Sequence, residues 1–187
     1  METMTRAIEA VTELLQSFID DEPKPPLHVG EVMSLWTAVT AFQEARALYQ
    51  AALNTTTDSD LKHTLENAVQ ASKKDYEMIK EFLIKEGVQL PAVNEDKPHS
   101  DPAAVPEGVR LTNDEIANLI SAKVATSIAF CATSMSQSIR TDVGLLFFQI
   151  QVQLMKFASP LKNLMKARGW LKSPPPYSPP GVPREHS

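Results

Sequence analysis

Apolar residues recur along this chain at intervals of three and four, and the recurrence is interrupted four times, so the pattern predicts five helices in an all-α fold. A short lead-in helix at about residues 3–19 places Ile8, Val11, Leu14, Leu15 and Phe18 on one stripe. Pro23, Pro25 and Pro26 stop it, because proline lacks an amide donor and clashes with the preceding turn. An isolated helix of this length is marginal in water, so it is expected to pack on the bundle or on a partner.

The first long helix spans about residues 29–54 through Val32, Leu35, Trp36, Val39, Phe42, Leu48, Tyr49 and Ala52. After a short break, Thr57 and Asp60 have the spacing of a capping box. The second long helix follows, with Leu61, Leu65, Ala68, Val69, Ser72, Tyr76, Ile79, Phe82 and Leu83 inward and Gly87 placed to end it in a left-handed conformation. A short break makes these two helices antiparallel neighbours.

A helix-free stretch from about residue 87 to 111, with Pro91, Pro98, Pro102 and Pro106, separates this hairpin from the next. Fully extended it reaches on the order of 75 Å, against roughly 40 Å for a helix of such length, so it can return the chain to the opposite end. The prediction is a ferritin-like up-down-down-up four-helix bundle; a link that doubles back would give up-down-up-down instead.

Thr112 followed three residues later by Glu115 signals the start of the third helix, with Ile116, Leu119, Ile120, Val124, Ile128, Cys131 and Met135 inward. Many of its other positions are Ala or Ser, which allows close helix contact in the bundle or across a homodimer face. The return lies at residues 138–142, where Thr141 or Asp142 can cap the fourth helix. Its stripe is read as Leu145, Leu146, Phe148, Val152, Met155 and Leu164, while Phe147, Ile150, Leu154 and Phe157 broaden the apolar surface beyond one face. The lead-in helix or a second subunit must cover the excess, and a homodimer is expected. Pro160 predicts a bend, and Gly169 with Trp170 predicts a glycine cap closed by an aromatic contact. The proline-rich end favours polyproline II geometry. The organisation expected is an N-terminal helix and linker at 1–26, the bundle at 27–171 and a tail at 172–187.

Composition narrows the function more by exclusion. A net charge of -5 provides no basic field for nucleic acid. Cys131 stands alone, so neither an internal disulfide nor a cysteine-rich metal site is open. No leader-like opening and no run of about 18 consecutive apolar residues occurs, which predicts a soluble, cytoplasmic protein without membrane insertion.

A di-iron bundle needs a carboxylate from each of two helices and Glu-x-x-His from each of the other two, at one depth. Glu44, His63 and Glu66 could assemble half of that on paper. The third helix offers no acid or imidazole after Glu115, and the fourth only Asp142 at its start, so no metal site and no cofactor is assigned. His28 and Glu31, three apart, are read as a surface pair. Asp75 borders the apolar stripe and should find a partner, with Arg46 and Lys123 as candidates. Arg140 and Asp142 are read as charges that fix the turn. With no nucleophile elbow, phosphate loop or HExxH pair, no catalytic residue is assigned.

The segments Gly30-Glu31-Val32 with Leu35-Trp36, Leu111 to Ile116, and Leu164 to Leu171 followed by Pro174-Pro175 resemble the DUF3231 proteins of Bacillus and related spore formers, as do Arg140, Asp142 and Phe148. The resemblance covers about residues 25–177. It implies a ferritin-like bundle similar to the spore coat protein F group, with a conceivable sporulation role and no catalytic residues to carry over. Many such proteins hold two tandem bundles, so self-association is a natural substitute here. The alternative is a ferritin-like protein that binds metal or a small ligand.

Overall fold

The computed structural model describes residues 2–17, 24–175 and 177. It contains α1 (Glu2–Ser17), α2 (Val29–Leu53), α3 (Ser59–Lys85), α4 (Asn113–Gln137) and α5 (Thr141–Ala167), with two single 3₁₀ turns in the link at Pro102–Ala104 and Glu107–Val109. Among the described residues there is no strand.

Contacts at the two ends establish the topology. The Asn113 side chain that opens α4 meets Thr56 and Thr57 in the α2–α3 turn, where the Thr57 N–H donates to Asn113 Oδ1 at 3.1 Å. Arg168, closing α5, pairs with Asp58 at the start of α3. At the opposite end, Glu31 near the start of α2 meets the α4–α5 turn, and Arg140 of that turn pairs with Glu86 at the end of α3. The order is therefore up-down-down-up. α2 packs on α3 and α4, and α5 packs on the same two, which leaves parallel α2/α5 and α3/α4 on the diagonals.

The helix ends follow from local chemistry. Thr112 and Glu115 form the predicted capping box. For α3 the cap is Asp58, not Thr57: its Oδ1 accepts the N–H groups of Asp60 and Leu61. A carboxylate at that end also meets the positive pole of the helix. Gly87 (φ 74°) and Gly169 (φ 71°) take left-handed conformations. Each is followed by an N–H that donates back to the carbonyl five residues earlier, Val88 to Leu83 and Trp170 to Met165. Val88 and Trp170 then lean on the core, completing both caps.

The interior divides into two clusters. Leu35, Val39, Phe42, Ile79, Leu83, Val143, Phe147 and Ile150 fill the Arg140 end. Tyr49, Leu61, Leu65, Ile116, Ile120, Leu161 and Met165 fill the Arg168 end. Fully burying one such side chain contributes about 1.5–3 kcal/mol, whereas an exposed ion pair contributes up to about 1 kcal/mol. Packing thus holds the bundle, and the polar contacts at its ends select the order of its helices.

The face of α5 differs from the expected one. Val143, Leu146, Phe147, Ile150, Leu161 and Met165 are buried. Leu145, Phe148 and Val152 are half-buried outside both clusters, and Met155 is exposed. Leu146 and Leu164 face the core as expected, but Leu145, Phe148, Val152 and Met155 change places with Phe147 and Ile150: both sets are apolar, so periodicity could not rank them. Trp36 and Leu119 are likewise exposed rather than inward. Ile8, Val11 and Leu14 of α1 are exposed as well, so these three side chains do not cover the bundle. Pro160 lies on the exposed side within continuous α5. The expectations for Phe18 and Ile19 and for most of the proline-rich tail fall outside the described residues.

The link is strapped along α2. Gln50 Nε2 donates to Asp96 at 2.7 Å and Asn54 Nδ2 to the Pro98 carbonyl at 2.9 Å, while the N–H groups of Asn94, Lys97 and Ser100 donate to Gln43, Gln50 and Asn54. Gln43, Gln50 and Asn54 recur at helical spacing, so one side of α2 supplies a polar ladder to a chain segment that has few partners of its own.

Candidate functional site

Two regions concentrate chemistry: a polar clasp at one end and a cavity at mid-depth. The clasp begins with His28, whose Nδ1 accepts the N–H groups of Gly30 and Glu31 while the Glu31 carboxylate accepts the His28 N–H. The two residues read as a surface pair form the α2 capping box. A Cβ at position 30 would stand 2.8 Å from His28 Cε1, so a larger residue there would have to displace the capping imidazole. Glu31 is only 3% exposed, and its other oxygen accepts the N–H of Ile139 at 2.9 Å and of Arg140 at 2.8 Å. No side chain caps α5 locally, and Glu31 instead fixes the two residues that lead into it from across the bundle.

Arg140 completes the clasp. Its guanidinium makes a fork with Glu86 at 2.8 and 2.9 Å and a second with Asp142 at 3.0 and 2.8 Å, and it lies over the Phe82 ring. Asp142 also receives Lys24 at 2.8 Å. Hydrogen bonds from Arg140 push the Asp142 carboxyl down to about 2, and the same guanidinium lowers Glu86. Asp142 therefore holds Arg140 instead of capping α5. Every charge here is matched, which makes the clasp a joint.

The cavity sits at the seam between the two core clusters, with walls from α2, α3, α4 and α5, and holds about 40 Å³ of space that opens to solvent beside the exposed Ala71 and Gln153. Alanines at 38, 41, 45, 68 and 71 leave the space, Phe42, Phe130 and Phe157 form aromatic walls, and Ser72, Asp75, Ser127, Cys131 and Gln153 supply polar atoms. Burial raises Asp75 to about 6, Tyr49 to about 12 and Cys131 to about 12. A thiol held so high is not a nucleophile at neutral pH. Neither expected partner reaches Asp75: Arg46 pairs with Asp96 at 2.6 Å, and Lys123, whose pKa burial lowers, feels Glu44 instead.

Glu44, His63 and Glu66 all face solvent, and Glu44 accepts the Asn94 side-chain N–H. The half-site is not assembled, because the stripe that contains these residues is the outer one. Among the described residues no group of three His, Cys, Asp or Glu side chains could hold a metal ion.

The outer surface is asymmetric. α3 carries many charges, whereas α4 from 124 to 137 and α5 from 143 to 155 carry none. Ala125, Ala129 and Thr133 are exposed on α4 beside the Leu145, Phe148, Val152 and Met155 stripe of α5. The segment containing α4 has the length and mean hydropathy of a membrane-crossing helix, yet Ile116, Ile120, Val124 and Cys131 are buried in the bundle.

A family model described as a protein of unknown function, DUF3231, matches residues 17–181. The Bacillus subtilis (strain 168) protein YvdQ, itself uncharacterised, is 31% identical over 150 residues, covering 80% of this chain and 88% of the relative. A crystal structure of a candidate spore coat protein from Bacillus halodurans C-125 is 35% identical, with a TM-score of 0.81 over 83% of this chain and 98% of that one. A two-domain Anabaena variabilis protein containing DJ-1/ThiJ/PfpI-like and ferritin-like domains matches 93% of this chain and 52% of its own at a TM-score of 0.61; at 14% identity it speaks to the fold alone.

Proposed function

This chain belongs to the DUF3231 family, and from that premise we propose that it is a structural, spore-associated bundle that self-associates through the outer face of α4 and α5. The observation that carries the reading is the uncharged apolar stripe of Leu145, Phe148, Val152 and Met155 lying outside both core clusters. Small side chains on α4 flank bulky ones on α5 at the same depth, so a second copy turned by a two-fold axis would set its ridge into this copy's shallow face. A chain of net charge -5 repels its own copies, and a neutral face is where that repulsion is least. The likeness to a candidate spore coat protein supports a place in or on the spore, reached from the cytoplasm of the sporulating cell.

The test is light scattering of the purified chain at two concentrations, alongside Val152→Glu. A dimer that the substitution converts to monomer is expected. A monomer at both concentrations overturns self-association, and a dimer indifferent to the substitution overturns the assigned face.

A further inference from the structure

We propose that the central cavity binds a small organic cation, an alkylammonium group carrying a short apolar body, with the Asp75 carboxylate as its anchor. Asp75 is 4% exposed and lines the cavity, and no described residue makes a hydrogen bond or ion pair with it. The positive charge of Lys74 acts on it, but from an exposed side chain. A buried carboxylate without a partner costs several kcal/mol in general. Among the described residues the other buried charges are matched: Arg140 by Glu86 and Asp142, and Glu31 by backbone donors. Among the described residues, Asp75 stands out as the buried charge without a partner.

The surroundings select the chemistry of that partner. One carboxylate balances one positive charge. Phe42, Phe130 and Phe157 present aromatic walls that favour an organic cation and accommodate an apolar body. Divalent ions require several oxygen ligands, and beside Asp75 the cavity offers only hydroxyls and one amide. Lys123 also lines the cavity, but the acid that acts on it is Glu44 and the cation that acts on Asp75 is Lys74, so the two are not a pair. The site lies within one bundle, so its failure would leave the self-association reading intact.

The experiment is an NMR titration of the isotope-labelled full chain at pH 8 with n-butylammonium and, separately, with n-butanol and butyrate. Saturable shifts at the amides of Ala41, Ser72 and Cys131 are expected for the ammonium ion, with affinity at least tenfold above that of the alcohol. Asp75→Asn should weaken ammonium binding at least tenfold, and Ala41→Leu, which narrows the cavity while keeping the carboxylate, should do the same. No saturable shift in the folded wild-type chain, equal binding of the alcohol, tighter binding of butyrate, or full affinity in either substituted chain would overturn the proposal.

Discussion

The Glu31 carboxylate accepts the backbone N–H of Arg140 at 2.8 Å across 109 residues of sequence. One acid thereby closes the start of α2 and the start of α5 together, and with them the relative placement of the two hairpins.

Because three backbone donors depend on it, Glu31→Ala should destabilise the chain by about 2–4 kcal/mol, with Glu31→Gln costing less since an amide oxygen still accepts. Urea unfolding midpoints would measure both. A loss below about 0.5 kcal/mol for Glu31→Ala would show that the contact does not matter.

Acid should weaken the Arg140 clasp first. Asp142 and Glu86 titrate below their ordinary values in the folded chain, so the stability they add is complete above about pH 5. It drains as pH falls toward the Asp142 value of about 2, a loss of roughly 2 kcal/mol for that group. Arg140→Met should flatten the stability profile in this window. An unchanged acid limb would refute the coupling.

Asp75 works in the opposite direction. Its pKa is raised to about 6, so the folded chain binds a proton more readily than the unfolded one, and stability should fall as pH rises from about 4 to 6. Without ligand, Asp75→Asn should stabilise the chain at pH 8 by roughly 1–3 kcal/mol and remove that slope. Thermal melts of both chains at pH 5 and 8 provide the check, and destabilisation at pH 8 would contradict the unpaired state of the carboxylate.

The strap should open without the bundle. Replacing Gln50 and Asn54 together by Ala removes the side chains that hold residues 96–100, and is expected to speed limited proteolysis there several-fold while global stability changes by about 1 kcal/mol. Cleavage at the wild-type rate would refute the role of the ladder.

The clasp was only partly legible beforehand. Arg140 and Asp142 could be read as turn charges because a short polar return between two apolar runs has little else to do. Glu31 could not be recognised as buried, since its spacing from His28 also suits a metal pair, and only the neighbouring Gly30, which admits the imidazole, hinted at a cap. Glu44, His63 and Glu66 looked convergent because hairpin arithmetic sets depth and leaves rotation about each helix axis open.

Local chemistry alone determined the helices, both glycine-ended caps, the Thr112 capping box and the long link that permits a crossover, because these depend on residues within a few positions of one another. Tertiary packing alone decided which of the two apolar stripes of α5 turns inward, that the link lies along α2, and that Asp75 faces a cavity without a partner. Those outcomes depend on the rotation of each helix against three others, and a chain with two apolar faces on one helix does not encode that choice in its periodicity.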